Sequence, residues 1–226
     1  MTGGGLTQVK VCCMQSAEEV RLAVEAGASA VGFVSSMPSG FGPIPEERIA
    51  EIAADVPAAV LSVLLTCLRD PERIADQQRR TGTRAVQLCD RLEDGGHAVL
   101  RRALPGVRLI QVVHVTGEEA LAEAEGVAPQ VDALLLDSGN PGLAVKELGG
   151  TGRVHDWAVS RRIREAVRIP VYLAGGLTRR NVARAIAEVR PFAVDVCTGL
   201  RVDGRLDPEE LQGFFREVRA AGSPHR

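Results

Sequence analysis

Three kinds of residue in this chain could do chemistry together: a carboxylate that closes one apolar run, thiols that close others, and glycines that follow two more. Asp137 follows the run ALLL. A carboxylate at the end of a buried strand is partly desolvated, which raises its pKa and suits it to giving up a proton. The same residue could serve as an Asx-turn residue opening the long segment behind it. Cys12 closes the first apolar run, and a thiolate in electropositive surroundings is a competent proton acceptor. A small, inert buried hydrophobe is the commoner use of such a cysteine. The segments YLAGGLTRRN (172–181) and DVCTGLR (195–201) bring Gly175, Gly176, Thr198 and Gly199. Glycine lets backbone N–H groups approach anionic oxygens closely, although a lone Gly-Gly is ordinary turn chemistry.

Each of these groups needs a strand end to hold it, and the chain supplies eight. Runs rich in Val, Leu and Ile lie at 8–12, 30–34, 59–65, 85–88, 108–113, 133–136, 171–174 and 193–197. Stretches with helical spacing follow them, at 17–26, 46–54, 71–80, 96–103, 118–125, 155–167, 180–189 and 208–221. Such alternation marks βαβ units and a parallel sheet. Eight units with right-handed crossovers close into a (β/α)8 TIM barrel, an α/β fold that about 226 residues accommodate as one domain. A doubly wound open sheet uses the same alternation, and the count of eight favours the barrel.

In a barrel the C-terminal strand ends share one mouth, so Asp137, Cys12 and both glycine loops are expected to meet there. If Val9 and Val11 face the helices, Lys10 and Cys12 point inward. The loops after strands seven and eight are the usual phosphate site of such barrels. The segment 137–154, DSGNPGLAVKELGGTGRV, has the length of a binding loop or lid. Pro45 reads as a first-turn proline and Gly27 as a helix stop. No linker divides the chain, and its ends, 1–7 and 222–226, are expected to fray.

Composition narrows the classes. With a net charge of −2 and 3% aromatic residues, the chain lacks both the electrostatic footprint and the stacking platforms of a nucleic-acid binder. Its five cysteines have no zinc-site spacing, so neither a metal nor a disulfide framework is expected, and a reducing compartment is. No signal-peptide pattern opens the sequence and no apolar run is long enough for a bilayer, which points to a cytoplasmic protein without a membrane partner.

Taken in order from about Lys10 to the last helix, VKVCC, EAGASAVGFV, RAVQLC, ALLLDS, GGTG, VYLAGGLTRRNV and RPFAVDVCTGL resemble phosphoribosylanthranilate isomerase of tryptophan biosynthesis. The resemblance implies a (β/α)8 barrel that performs an Amadori rearrangement on a small phosphoribosyl substrate without a cofactor. It implies Asp137 as the general acid at the ribose ring oxygen and Cys12 as the general base at C2. Gly175, Gly176, Thr198 and Gly199 correspond to the phosphate-binding loops, Gly150 and Thr151 to the loop that covers the substrate, and Asp195 to a carboxylate on strand eight. Monomer and homodimer both remain open.

The pattern breaks on the aromatic side. The family's arginine for the anthranilate carboxylate falls on Phe41, within SSMPSGFGPIPEE, and no Arg or Lys lies between Gly32 and Glu47. Cys89 stands where the family has His, Cys13 where it has Gly, and Leu64 and Leu65 where it has an aromatic residue. Arg91, Lys146, Arg153 and Arg201, on strand-end loops, are the candidate replacements for the missing cation. Three readings follow: this isomerase with an altered carboxylate contact, a paralogous isomerase of another amino-linked ribose 5-phosphate, or a non-catalytic barrel that keeps the phosphate site.

Overall fold

The structure, a computed structural model, describes residues 6–149 and 152–222. Eight parallel strands run β1 (Gln8–Val11), β2 (Ala30–Val34), β3 (Leu61–Thr66), β4 (Ala85–Leu88), β5 (Arg108–His114), β6 (Ala133–Asp137), β7 (Val171–Leu173) and β8 (Ala193–Val196). The helices between them are α1 (Ala17–Ala26), α2 (Glu46–Ala54), α3 (Pro71–Thr81), α4 (Gly96–Ala103), α5 (Glu119–Val127), α6 (Trp157–Ala166) and α7 (Val182–Val189), with α8 (Pro208–Ala221) closing the chain. β1 pairs with β2 on one side and β8 on the other, so the sheet closes into the expected barrel.

Period-two alternation along the strands sorts the core into two layers. Val9, Val11, Val31, Phe33, Leu64, Leu134 and Leu136 pack outward under the helices. Ala30, Val63, Ala85, Ile110, Val112, Ala133 and Leu135 fill the barrel interior. Lys10 goes inward as the alternation requires and is fully buried. A burial of that kind is tolerable only where the charge is paired, and its partner defines the site below.

The helix starts follow their caps. Ser16 accepts from the Glu19 N–H at 3.2 Å to open α1, and Gly27, at φ +108°, closes it. Asp70 and Asp207 cap α3 and α8 just ahead of Pro71 and Pro208. Pro45 departs from expectation: its ψ of 147° makes it the cap residue outside α2, with Glu46 the first helical position. The sixth helix starts at Trp157 rather than 155, because Asp156 accepts from the Ala158 N–H at 2.8 Å. The seventh starts at Val182 rather than 180, because the Asn181 side chain ties down the preceding turn, accepting from the Thr178 N–H and donating to the Gly176 carbonyl.

Residues 1–5 and 223–226, within the ends expected to fray, lie outside the described residues, as do Gly150 and Thr151. Among the described residues no helix is long and apolar enough to cross a membrane, and no group of three or more His, Cys, Asp or Glu could hold a metal ion.

Candidate active site

The strand ends open on a cleft of about 700 Å³, counted out to its solvent-facing mouth. Cys12, Asp137, Asp195 and all four glycine-loop positions (Gly175, Gly176, Thr198 and Gly199) line it. The parallel register brings these residues together. β1 and β8 align Lys10 with Asp195, and their side chains form a buried ion pair, Lys10 Nζ to Asp195 Oδ1, at 2.8 Å. The same ammonium donates to Cys12 Sγ at 3.3 Å. Gly32 on β2 leaves the space for this arrangement, since a β-carbon there would lie 2.7 Å from Cys12 Sγ and 3.2 Å from Lys10 Nζ.

These neighbours set the protonation states. Burial works to discharge Lys10, but the charges of Asp195 and Cys12 outweigh it and hold the ammonium well above the ordinary lysine range. A hydrogen bond from the Cys13 thiol, aided by Lys10, favours the Cys12 thiolate against its burial and keeps its pKa below the usual thiol value. Asp137 is shifted the opposite way. Burial raises its pKa, and the Ser138 N–H, donating to Oδ1 at 2.7 Å, offsets this only in part. His114, aligned with Asp137 on β5, donates from Nε2 to the Cys89 carbonyl at 3.0 Å. The cleft thus holds a thiol biased toward losing its proton and a carboxyl biased toward keeping one, the division of labour that acid–base catalysis needs.

The β7 and β8 loops form the wall between Asp137 at the end of β6 and Cys12 just past β1. Gly175 and Gly176 adopt φ of +84° and +60°, conformations in which side-chain-bearing residues are strained. A β-carbon on Gly199 would come within 2.0 Å of the Leu177 carbonyl oxygen, so the two loops approach backbone to backbone at this point. Thr198–Leu200 forms a single 3-10 turn after β8.

The aromatic side is different. Phe41, Met37, Leu65, Cys89 and Leu148 line it, and among the described lining residues there is no Lys or Arg. The four candidate replacement cations are engaged elsewhere. Arg91 pairs with Glu123 at 2.5 Å, Lys146 with Asp90, and Arg153 with Glu147. Arg201 is held by Glu19 at 2.8 Å and lies 4.8 Å over the Phe41 ring, backing that ring rather than entering the cleft. Lys146 also ties the β6–α6 loop down, because its carbonyl accepts from Ser39 Oγ at 2.7 Å.

Two features of the site escaped sequence reasoning. The pairing of Lys10 with Asp195 was signalled by a lysine at an inward position of a barrel strand. Cys13 has φ +64°, a left-handed conformation that costs a residue bearing a β-carbon about 1–2 kcal/mol, and the signal for it was the glycine that the resembled family carries at this position.

A closed eight-stranded barrel with a thiol–ammonium–carboxylate group at the strand ends has the architecture of a class: barrel enzymes that carry acid–base groups at the mouth. Within that class the comparisons are specific. The family model for N-(5'-phosphoribosyl)anthranilate (PRA) isomerase matches residues 9–217, and the chain belongs to that family. The N-(5'-phosphoribosyl)anthranilate isomerase of Methanocella arvoryzae is 37% identical over 95% of this chain and 99% of its own, and that of Halobacterium salinarum 38% identical over 97% and 99%. The crystal structure of the Thermotoga maritima isomerase superposes with a TM-score of 0.81 at 30% identity, covering 95% of this chain and all of that one. A phosphoribosyl anthranilate isomerase in complex with reduced 1-(o-carboxyphenylamino)-1-deoxyribulose 5-phosphate gives 0.79 at 28% identity.

Proposed function

We propose that this chain catalyses the Amadori rearrangement of N-(5'-phosphoribosyl)anthranilate to 1-(2-carboxyphenylamino)-1-deoxyribulose 5-phosphate, in the cytoplasm. The observation that carries the reading is the opposed bias of Cys12 and Asp137 within one cleft of a barrel of this family. Asp137 delivers its proton to the ribose ring oxygen, the C1–O bond breaks, and the nitrogen lone pair completes a Schiff base at C1. Cys12 takes the proton from C2, leaving an enolamine that becomes the ketone as C1 gains a proton and the C2 hydroxyl loses one. Every step is a proton transfer with bond reorganisation inside one substrate, so no electron acceptor or donor is required. Lys10 holds the Cys12 sulfur charged, and Asp195 holds Lys10.

The backbone of Gly175, Gly176, Thr198 and Gly199 receives the 5-phosphate, with N–H groups as donors. Gly150 and Thr151, which lie outside the described residues, are assigned to substrate binding by the family resemblance alone. The aromatic ring of the substrate rests against Phe41. One observation favours a second reading: with no lining cation among the described residues, the amine on the sugar could be a neutral one, giving a paralogous isomerase of another amino-linked ribose 5-phosphate.

The test is loss of anthranilate fluorescence when the purified protein meets phosphoribosylanthranilate. Turnover is expected, with Cys12→Ala and Asp137→Asn each lowering kcat by roughly 10²- to 10⁴-fold at little change in KM. A folded wild-type protein that leaves the substrate untouched overturns the first reading and directs the search to other amines.

A further inference from the structure

Four of the five cysteines line the catalytic cleft: Cys12, Cys13, Cys89 and Cys197. Three of them, Cys12, Cys13 and Cys197, lie just past the paired ends of the neighbouring strands β1 and β8. Cys12 N–H donates to the Val196 carbonyl at 2.8 Å, extending the β1–β8 ladder and drawing Cys12 and Cys13 toward Cys197 on the next strand end. Cys12 and Cys197 both lie near enough to the Cys13 thiol to push its pKa up. The fold accommodates a thiol at this junction despite the backbone. Cys13 has the left-handed φ of +64° at which glycine is the unstrained choice. Across from it Gly42 carries no side chain, and a β-carbon there would lie 2.7 Å from Cys13 Cβ. Of the thiols, Cys12 alone exchanges a proton with the substrate in the proposed reaction; Cys13 only supports the Cys12 thiolate, and Cys197 has no assigned part.

We propose that Cys12, Cys13 and Cys197 form a peroxide-responsive relay that captures oxidation of the catalytic thiol and stores it as a Cys13–Cys197 disulfide. Cys12 thiolate, held beside Lys10, attacks the peroxide oxygen, giving the sulfenic acid and releasing hydroxide. The Cys13 sulfur attacks that sulfenic sulfur, its proton leaving with the hydroxyl as water, and a Cys12–Cys13 disulfide forms. The bond is strained, because adjacent Cα atoms lie about 3.8 Å apart, short of the usual disulfide span. Cys197 thiolate then attacks the Cys13 sulfur and Cys12 thiolate leaves, so the two electrons lost to peroxide come from Cys13 and Cys197. The relay returns Cys12 to its active form instead of letting it go on to the irreversible sulfinic acid.

The reduced protein is treated with a slight excess of hydrogen peroxide, quenched with catalase and digested with trypsin without reduction. Trypsin separates the peptide from Val11 to Arg21 from that running from Ala185 to Arg201, since Pro191 protects the Arg190 bond. The expected product is these two peptides joined, two hydrogens lighter than their sum, and separable by dithiothreitol. Cys13→Gly places the unstrained residue at the left-handed position and keeps the fold. In that variant the joined peptides are absent, Cys12 gains two oxygens, and dithiothreitol restores less than about one tenth of the activity that it restores to the wild type. Wild-type protein whose Cys12 gains two oxygens as readily as the variant's overturns the relay, as does wild-type protein with no linked peptides. The peptide readout needs no substrate, so its failure is distinct from failure of the proposed isomerase activity.

Discussion

On one wall of the mouth, the loops after β7 and β8 meet through backbone: Gly199 sits so close to the Leu177 carbonyl that no side chain fits between them, and Asn181 fixes the turn with two hydrogen bonds. On the facing wall the side chains of Met37, Phe41 and Leu65 predominate, and the nearby cations are paired with Glu19, Asp90, Glu123 and Glu147. The two walls of one mouth are thus built differently, one where backbone meets backbone and one from side chains. A backbone cradle survives most substitutions at neighbouring positions, whereas a pocket of side chains changes with each one.

The sharpest way to break this contrast is at Gly199. Gly199→Ala places a β-carbon 2.0 Å from the Leu177 oxygen, a separation that forces the two loops apart. We expect KM for the phosphorylated substrate to rise about 100-fold, near 2.7 kcal/mol, with thermal stability largely kept because the loop is at the surface of the barrel end. Steady-state kinetics decides it. An unchanged KM would mean that the phosphate is held by side chains and that the two walls are built alike.

The next effect is in stability and belongs to the same wall. His155 stands beside the β7 loop, where a β-carbon on Gly175 would lie 3.1 Å from its Nδ1, and its Nε2 lies 2.7 Å from Ser160 Oγ. Burial lowers its pKa to about 4. A histidine with a depressed folded pKa takes up its proton in the unfolded chain first, so its neutral form supports the fold above pH about 6.5 and that support is lost as pH falls toward 4. At pH 5 the loss is about 2 kcal/mol. Urea unfolding at pH 7.5 and 5 should show that difference in the wild type and a much smaller one in His155→Gln. A pH response in which the variant matches the wild type would locate the acid lability elsewhere.

Much of this was legible in the sequence because hydrophobic periodicity and chain direction are local. The eight runs gave the strands within a few residues, and with the strands came the mouth that gathers Cys12, Asp137 and the glycine loops. Errors fell at helix starts, where Asp156 and Asn181 decide the boundary by side-chain hydrogen bonds that periodicity does not encode. The aryl wall was the least legible. Its character depends on which carboxylate each cation finds, as with Arg201, whose partner Glu19 lies 182 residues away. Sequence offered four cations for one vacant role and could not see that each already had a partner. Asp195 was placed through family resemblance alone, and only the register between β1 and β8 gives it a physical task, that of holding Lys10.

The smallest expected effect tests the aryl wall itself. Phe41 contributes a ring face to the cleft and receives Arg201 on that ring at 4.8 Å. Phe41→Leu keeps an apolar surface but removes both the face on which an aromatic amine can stack and the cation–π contact that fixes its orientation. Such contacts are worth about 1 kcal/mol, so KM should rise about fivefold with kcat unchanged. The split between the constants carries the information. If kcat fell in step, the ring would be contributing to the proton transfers of Cys12 and Asp137, and the aryl wall could not vary independently of the chemistry. If only KM moves, amine recognition is separable from catalysis, the outcome we expect of a wall with no lining cation among the described residues.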